Sequence, residues 1–157
     1  MTTAQDAISA LAAHVGIPLD LRDGFCEILI DGQPFSIRHD EARDRLVASA
    51  LVADDLPAAP SRQLVCDLLD LGFGMMEDGL PAVARDPETG FLAAFALFPL
   101  ATLSPAEFPD AFDKFVAFAT ALADRLDAER AGMSVTPEDE PPAEGETAAF
   151  SPGLISV

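Results

Sequence analysis

The chain has 157 residues, of which half are hydrophobic, and a formal net charge of −18. This length is enough for one domain with a hydrophobic core, and the apolar content excludes a chain that is disordered throughout. The acidity argues against nucleic acid and anionic membranes as partners, because both bind Lys and Arg side chains that neutralise phosphate. We therefore expect a basic or apolar protein partner, although part of the acidity could simply keep the protein soluble.

The first fifteen residues contain neither Lys nor Arg and no continuous apolar stretch, so no ordinary secretory signal is predicted. The longest apolar run, residues 91–103, is interrupted by Pro99 and is too short for a membrane-spanning helix, which needs roughly 20 residues. Cys26 and Cys66 fit a reducing cytosol as two buried hydrophobic residues, with a disulfide or a reactive thiol as the alternative. These features predict a soluble, intracellular protein without membrane insertion.

The first predicted helix follows Thr2 or Thr3, either of which can cap its N-terminus. Gly16 and Pro18 end it in the usual way. Helical spacing places its apolar residues on one face: Ile8, Leu11, Ala12 and Val15. The opposite side is only weakly polar. The helix therefore either docks on the core alone or also lends apolar surface to a partner.

Three strands are predicted next, joined first by a tight turn at Asp31-Gly32 and then by a charged turn at residues 40–45. In the first strand, residues 25–30, alternation assigns the side chains to two faces. One face carries Cys26, Ile28 and Ile30, and the other carries Phe25, Glu27 and Leu29. The return strand contains Phe35, Ile37 and His39, and residues 46–52 form the third strand. Both faces of the hairpin are therefore apolar.

The second predicted helix is capped by Ser61 and has apolar residues on at least two sides, whereas a surface helix of a monomer shows one apolar stripe. It is therefore either sunk in the core or buried against another subunit. We favour a homodimer, because a domain of this size rarely encloses a helix completely. The candidate interface residues are Val65, Leu68, Leu69 and Phe73. The glycines within residues 72–79 should end this helix or loosen its last turn.

A second hairpin is predicted from residues 82–85 and 91–98, which flank a turn-rich segment. The segment 91–98 is apolar on both faces, as in a central strand, with a buried helix as the alternative. The last helix starts with a capping box at residues 104–107 and has an apolar stripe from Phe108 to Leu126 that should pack on the sheet. The predicted fold is α+β, with an antiparallel sheet of about five strands and three helices in the order α-β-β-β-α-β-β-α.

The composition changes after this domain, which we assign to residues 1–131. Residues 132–157 are acidic and Pro-rich, contain no basic residue, and are predicted to be disordered. The final segment, residues 150–157, is apolar enough to be a short docking peptide, although an inert tail is the preferred interpretation.

Catalytic motifs are missing from the sequence. There is no Gly-rich phosphate loop, no nucleophile elbow and no H-E-x-x-H. His39 stands beside Asp40 and Glu41, but adjacent residues of a strand point to opposite faces, which disfavours a shared metal. The sequence therefore predicts a binding protein that is not an enzyme and uses neither a cofactor nor a metal.

This order of elements in an acidic chain resembles the class I chaperones of type III secretion, the Tir-chaperone family. The resemblance extends over residues 1 to about 130. Besides the first helix and the Phe-rich last helix, four segments carry it: FCEILIDGQPFSI, LVASALV, LVCDLLDL and FLAAFALF. The acidic tail and the glycines at 72–79 depart from what the family usually shows.

The resemblance implies a bacterial cytoplasmic homodimer joined through the second helix. It also implies binding of the N-terminal segment of a secreted effector, here called the client, in extended form and without ATP. We expect the client on the first helix and the hairpin, at Leu11, Val15, Phe25, Leu29, Phe35 and Ile37. The alternative is an adaptor or small-ligand domain of the same fold that has no link to secretion.

Overall fold

The structure, a computed structural model, describes residues 2–133. Three helices and five strands follow one another in the predicted order: α1 Ala4–Val15, β1 Phe25–Ile30, β2 Gln33–Asp40, β3 Arg45–Ala53, α2 Arg62–Asp78, β4 Ala82–Arg85, β5 Leu92–Pro99 and α3 Phe108–Met133. The strands form one antiparallel sheet in the spatial order β1-β2-β3-β5-β4. The predicted fold class is confirmed, and the segment 91–98 is a strand for most of its length, not a helix.

The turn between β1 and β2 fixes which residues share a face. Asp31 and Gly32 have φ angles of 49° and 83°, and a two-residue turn of type I′ requires this left-handed conformation at both positions. The resulting register places Cys26 opposite Ile37 and Ile28 opposite Phe35. These residues are buried and belong to the inner face of the sheet.

The core lies between this inner face and the helices α1 and α3. The Phe35 ring packs edge-to-face on Phe112 and Phe115 of α3, with ring centroids 6.2 Å and 6.0 Å apart. The predicted apolar stripe of α3 is buried in this core. Helix α1 packs against α3, and His14 Nε2 lies 2.9 Å from Asp113 Oδ2. The first helix therefore does dock on the core.

Helix ends follow the predicted caps in two of the three helices. Thr3 Oγ1 accepts from the Asp6 amide at 3.1 Å, and the Thr3 amide donates to Asp6 Oδ2 at 3.0 Å, which completes a capping box. Accepting from Thr3 also holds the pKa of Asp6 below its usual range. Ser61 Oγ accepts from the Leu64 amide at the start of α2.

The third helix begins later than predicted. Residues 104–107 form a turn, and α3 starts at Phe108. Pro109 fits this start, because it has no amide to donate and is therefore tolerated in the first turn of a helix, where the amides have no partner within the helix. At its other end α3 continues to Met133, past the expected domain boundary. The predicted disorder of the tail concerns residues 134–157, which lie outside the described part of the chain.

Helix α2 continues through Gly72 and Gly74 to Asp78 and ends at Gly79, the last of the glycines expected to end it, whose φ is 66°. Of the two alternatives for this helix, burial in the core is excluded, because Leu64 is buried but most of its other apolar side chains are exposed or half-buried. Cys66, expected to be buried, is exposed on this helix, whereas Cys26 is buried, and burial raises the pKa of the Cys26 thiol.

Candidate functional site

Reactive side chains do not converge in the part of the chain that the structure describes. Residues 2–133 contain no group of three or more His, Cys, Asp or Glu side chains placed to hold a metal ion. Within the same range, no helix has the length and apolar content needed to cross a bilayer. The features that stand out are instead two exposed apolar surfaces.

The first surface is the outer sheet face, the side of the sheet turned away from α1 and α3. Strand alternation places on it Phe25, Glu27 and Leu29 from β1, Ser36 and Arg38 from β2, and Ser49 and Leu51 from β3. Leu29 is 69% exposed, and Phe25, Leu51 and Phe91 are also exposed. Phe91 comes directly before β5 and continues its alternation. Large apolar side chains thus remain in contact with solvent on β1, on β3 and just before β5.

A groove of about 500 Å³ crosses this face. We call it the outer groove; its apolar lining includes Phe25, Pro34, Leu51, Ala84, Phe91 and Ala93. Most polar side chains of its lining have partners: Ser36 Oγ and Ser49 Oγ are 2.7 Å apart, Arg85 Nε lies 3.4 Å from Asp55 Oδ1, and Asp86 Oδ2 accepts from Thr89 Oγ1 at 2.9 Å; Glu27 also lines the groove. The groove therefore offers apolar contacts to a partner and few unsatisfied polar groups that a small polar ligand would require.

The second surface is the free face of α2, formed by Val65, Leu69, Phe73 and Met76 at helical spacing. Leu69 is 70% exposed and Met76 is 85% exposed. Helices of water-soluble domains rarely present such a stripe to solvent unless a partner covers it. Leu80, just beyond the helix, is exposed as well.

The opposite side of α2 is tied to α3. The Arg125 guanidinium donates to the Asp67 carboxylate, and Gln63 Nε2 donates to Asp67 Oδ1 at 2.8 Å. These hydrogen bonds, with that of Arg125 the larger cause, hold the pKa of Asp67 below its usual range. The Ser61 amide donates to Glu129 Oε1 at 2.7 Å. Helix α2 is thus fixed along one side, and its free face has a defined orientation.

A known family matches this arrangement. The family model of the Tir chaperone protein (CesT) family matches residues 6–123, well over half of the chain. The chain belongs to this family. The resemblance inferred from the sequence is thereby confirmed, and the family is one of type III secretion chaperones. No match was found among curated proteins.

Several solved complexes contain a chain with a similar fold. The HopA1–SchA chaperone–effector complex matches with a TM-score of 0.58 and 21% identity, covering 81% of this chain and 92% of that chain. The ExoT–SpcS complex from Pseudomonas aeruginosa matches with a TM-score of 0.55 and 18% identity over 74% and 94% of the two chains. The ExsC–ExsE complex matches with a TM-score of 0.53 and 18% identity over 83% and 96%. At these sequence identities, the similarity shows a shared fold and no more.

Within this family fold, the residues predicted to bind a client are divided between surface and core. Phe25 and Leu29 are exposed on the outer sheet face. Leu11, Phe35 and Ile37, expected on an exposed client surface, are at most 1% exposed and lie in the core, and their part in client binding stays a prediction. The physical reason is the hairpin register, which turns Phe35 and Ile37 toward α3, and the docking of α1, which turns Leu11 inward. Val15 is half-buried against the core.

The residues predicted for the subunit contact are divided in the same way. Val65, Leu69 and Phe73 lie on the free face of α2. Leu68 does not, because it lines a groove against Phe118 and Leu122 of α3. On or beside these two surfaces, sequence reasoning missed four exposed apolar residues: Leu51, Met76, Leu80 and Phe91. Alternation along β3 and β5 could have identified Leu51 and Phe91, whereas Met76 was missed because the helix was expected to end or loosen at the glycines.

Proposed function

We propose that the protein is a type III secretion chaperone that holds the N-terminal segment of a secreted effector in extended form. The observation that carries this proposal is the outer groove, which crosses several strands and is bordered by exposed Phe25, Leu51 and Phe91, with Leu29 exposed on the same face. An extended segment can place alternate side chains in such a groove while its backbone pairs at a sheet edge. Family membership and the likeness to chaperone–effector complexes support the same function.

We further propose that the chaperone acts without ATP, in the bacterial cytoplasm. The sequence contains no Gly-rich phosphate loop that could hold a nucleoside triphosphate. Binding would then be governed by the affinity of the apolar groove for the client alone. Release would require a competing partner or an unfolding step supplied by another protein.

A homodimer joined through the free face of α2 is the proposed assembly. The stripe of Val65, Leu69, Phe73 and Met76 is apolar and exposed, and Asp67 and Glu129 hold the opposite side of α2 against α3. Covering this stripe with a second copy would remove it from water. Such a pairing would leave the outer groove of each copy open to a client.

The test is co-expression of the protein with the products of neighbouring open reading frames. The expected result is that one product becomes soluble and co-purifies, and that limited proteolysis leaves only its N-terminal segment protected. Leu29→Asp should reduce the amount of client that co-purifies, whereas Ala117→Asp, which adds the same charge at an exposed position of α3, should leave it unchanged. Equal capture by both variants would exclude the outer sheet face as the client surface.

The alternative of a small-ligand domain has weaker support. A cavity of about 440 Å³ lies between α3, the end of β5 and the segment joining α2 to β4. Its lining is almost entirely apolar, and among the described residues Lys114 contributes its one charged side chain. Small-molecule sites normally combine an apolar cavity with several converging polar groups. This cavity does not provide such a set.

A further inference from the structure

The last turn of α3 is held beside one end of the outer groove. The Arg130 guanidinium donates to the Asp55 carbonyl oxygen. The Asp55 carboxylate in turn lies 3.4 Å from Arg85 Nε, and Arg85 lines the outer groove. Residue 134, where the undescribed part of the chain begins, therefore follows a helix end that is anchored close to the proposed client surface.

The sequence beyond this point has two parts. Residues 134–149 contain five acidic residues, three prolines and no Lys or Arg. The following segment, FSPGLISV at residues 150–157, carries no charged side chain and includes Phe150, Leu154 and Ile155. We call residues 134–149 the spacer; its charges favour exposure to water in a protein that is itself acidic. The uncharged segment 150–157, in contrast, is stabilised wherever it can cover apolar surface and remove it from water.

The spacer is long enough to reach the outer groove. A flexible linker of this length spans roughly 22 Å on average, taking about 5.5 Å times the square root of the number of residues. Neighbouring strands are about 4.8 Å apart, so the sheet from β5 to β1 measures roughly 14 Å. The apolar segment can therefore reach every strand of the outer sheet face, and tethering keeps it there at an effective concentration in the millimolar range.

We propose that residues 150–157 bind in the outer groove as an internal occupant, which an effector must displace. This inference rests on the proposed function for the identity of the competing client, but the docking itself does not. Phe150 and Leu154 are the anchors, and they cover the same exposed side chains, Phe25, Leu51 and Phe91, that a client would cover. Docking covers this apolar surface when no client is bound. It also raises the affinity that a segment needs in order to bind, so weakly binding segments do not displace residues 150–157.

The first experiment detects docking without any client. A nitroxide spin label is attached to Ser151→Cys in the full chain, with Cys66→Ser removing the other exposed thiol. Amide signals of β1 and of Leu51 should be broadened strongly. The same label in a chain that also carries Phe150→Asp and Leu154→Asp should lose this effect. Broadening confined to α2, or equal broadening in the two chains, would overturn the proposal.

The second experiment measures the effect on client binding, with the segment that co-purifies in the co-expression test as the probe. Phe150→Asp with Leu154→Asp should raise affinity roughly two- to tenfold, because a millimolar effective concentration competes with an intrinsic dissociation constant of about 0.1–1 mM. The matched control, Ala143→Asp with Thr147→Asp, adds the same charges at the same spacing within the spacer and should leave affinity unchanged. Equal affinities would overturn the displacement step. If no segment binds any variant, the proposed function fails, while the spin-label result still decides docking.

Discussion

Leu29 lies directly opposite Pro34 in the β1–β2 register, and it is 69% exposed, whereas its neighbour Ile28 pairs with Phe35 in the core. One step along the hairpin therefore separates the outer sheet face from the packed interior. This relationship makes the two leucine-sized neighbours a matched pair for mutation, because the same substitution tests binding at one position and folding at the next.

Leu29→Asp should weaken client binding on the order of ten- to hundredfold, which corresponds to about 1–3 kcal/mol for the loss of one interface anchor. Its melting temperature should stay close to that of the unmodified protein, since the side chain makes little contact with the core. Ile28→Asp, in contrast, buries a charge and should unfold the domain. Calorimetric titration and circular dichroism measure the two effects, and normal client affinity for Leu29→Asp would contradict the prediction.

Leu69→Glu should convert the proposed dimer into a monomer, because an unpaired charge in an apolar interface is costly to desolvate. Sedimentation velocity at micromolar concentration would report the change. Ala117→Glu, at an exposed position of α3, serves as the control and should remain dimeric. A monomeric unmodified protein under these conditions would show that the free face of α2 is not a subunit contact.

Phe112→Ala should destabilise the domain by about 3–5 kcal/mol, the usual cost of removing a large buried aromatic side chain and leaving a cavity. Phe112 is buried and packs on both Phe35 and Phe108. Urea unfolding followed by circular dichroism gives the value. Val65→Ala, on the free face of α2, should lower the free energy of unfolding far less when it is measured in a monomeric variant such as Leu69→Glu. Similar losses of stability at the two positions would contradict the assigned core.

The contact between Asp67 and Arg125 should make part of the stability dependent on pH. The pKa of Asp67 is lowered on folding from 3.8, so its contribution is fully present above that value and is lost as pH falls through the lower, folded value. Asp67→Asn should therefore be less stable than the unmodified protein at pH 7, and the difference should shrink below pH 4. Urea unfolding at several pH values measures this, and a difference that is constant with pH would contradict the role of the ion pair.

Deletion of residues 134–157 should leave the melting temperature within a few degrees of the full chain. The described domain contains the continuous core, and surface docking of a short tethered segment adds little to it. Thermal unfolding followed by circular dichroism tests the expectation. A collapse of stability would show that the tail contributes to the core itself.

Local signals in the sequence predicted the fold well because each of them is compatible with one local structure. Asp31-Gly32 allows only a tight hairpin, and Thr3 and Ser61 can satisfy helix amides where they stand. The two-residue turn even fixes the register, from which it could have been derived that Phe35 and Ile37 share the face of Cys26 and Ile28. What the sequence alone could not decide was which apolar face of the hairpin α3 would cover, because both faces carry large side chains.

The extent of α2 was harder to predict because two effects oppose each other. Each glycine inside a helix costs roughly 1 kcal/mol relative to alanine, which favours ending the helix at Gly72. Contacts of α2 with α3 and β4 outweigh this cost in the structure, and such tertiary contacts have no local signal. The exposure of Met76 follows from this longer helix and was missed with it.

Strand β1 forms one border of the sheet, and two of its three outward side chains, Phe25 and Leu29, are apolar, so two copies could pair there edge to edge. The formal charge of −18 opposes such pairing through repulsion between whole molecules. Dissolved ions weaken that repulsion, since the Debye length falls from about 10 Å at 0.1 M salt to about 3 Å at 1 M. At 1 M salt the client-free protein should therefore aggregate and its solution should become turbid, whereas the complex with the effector should stay soluble.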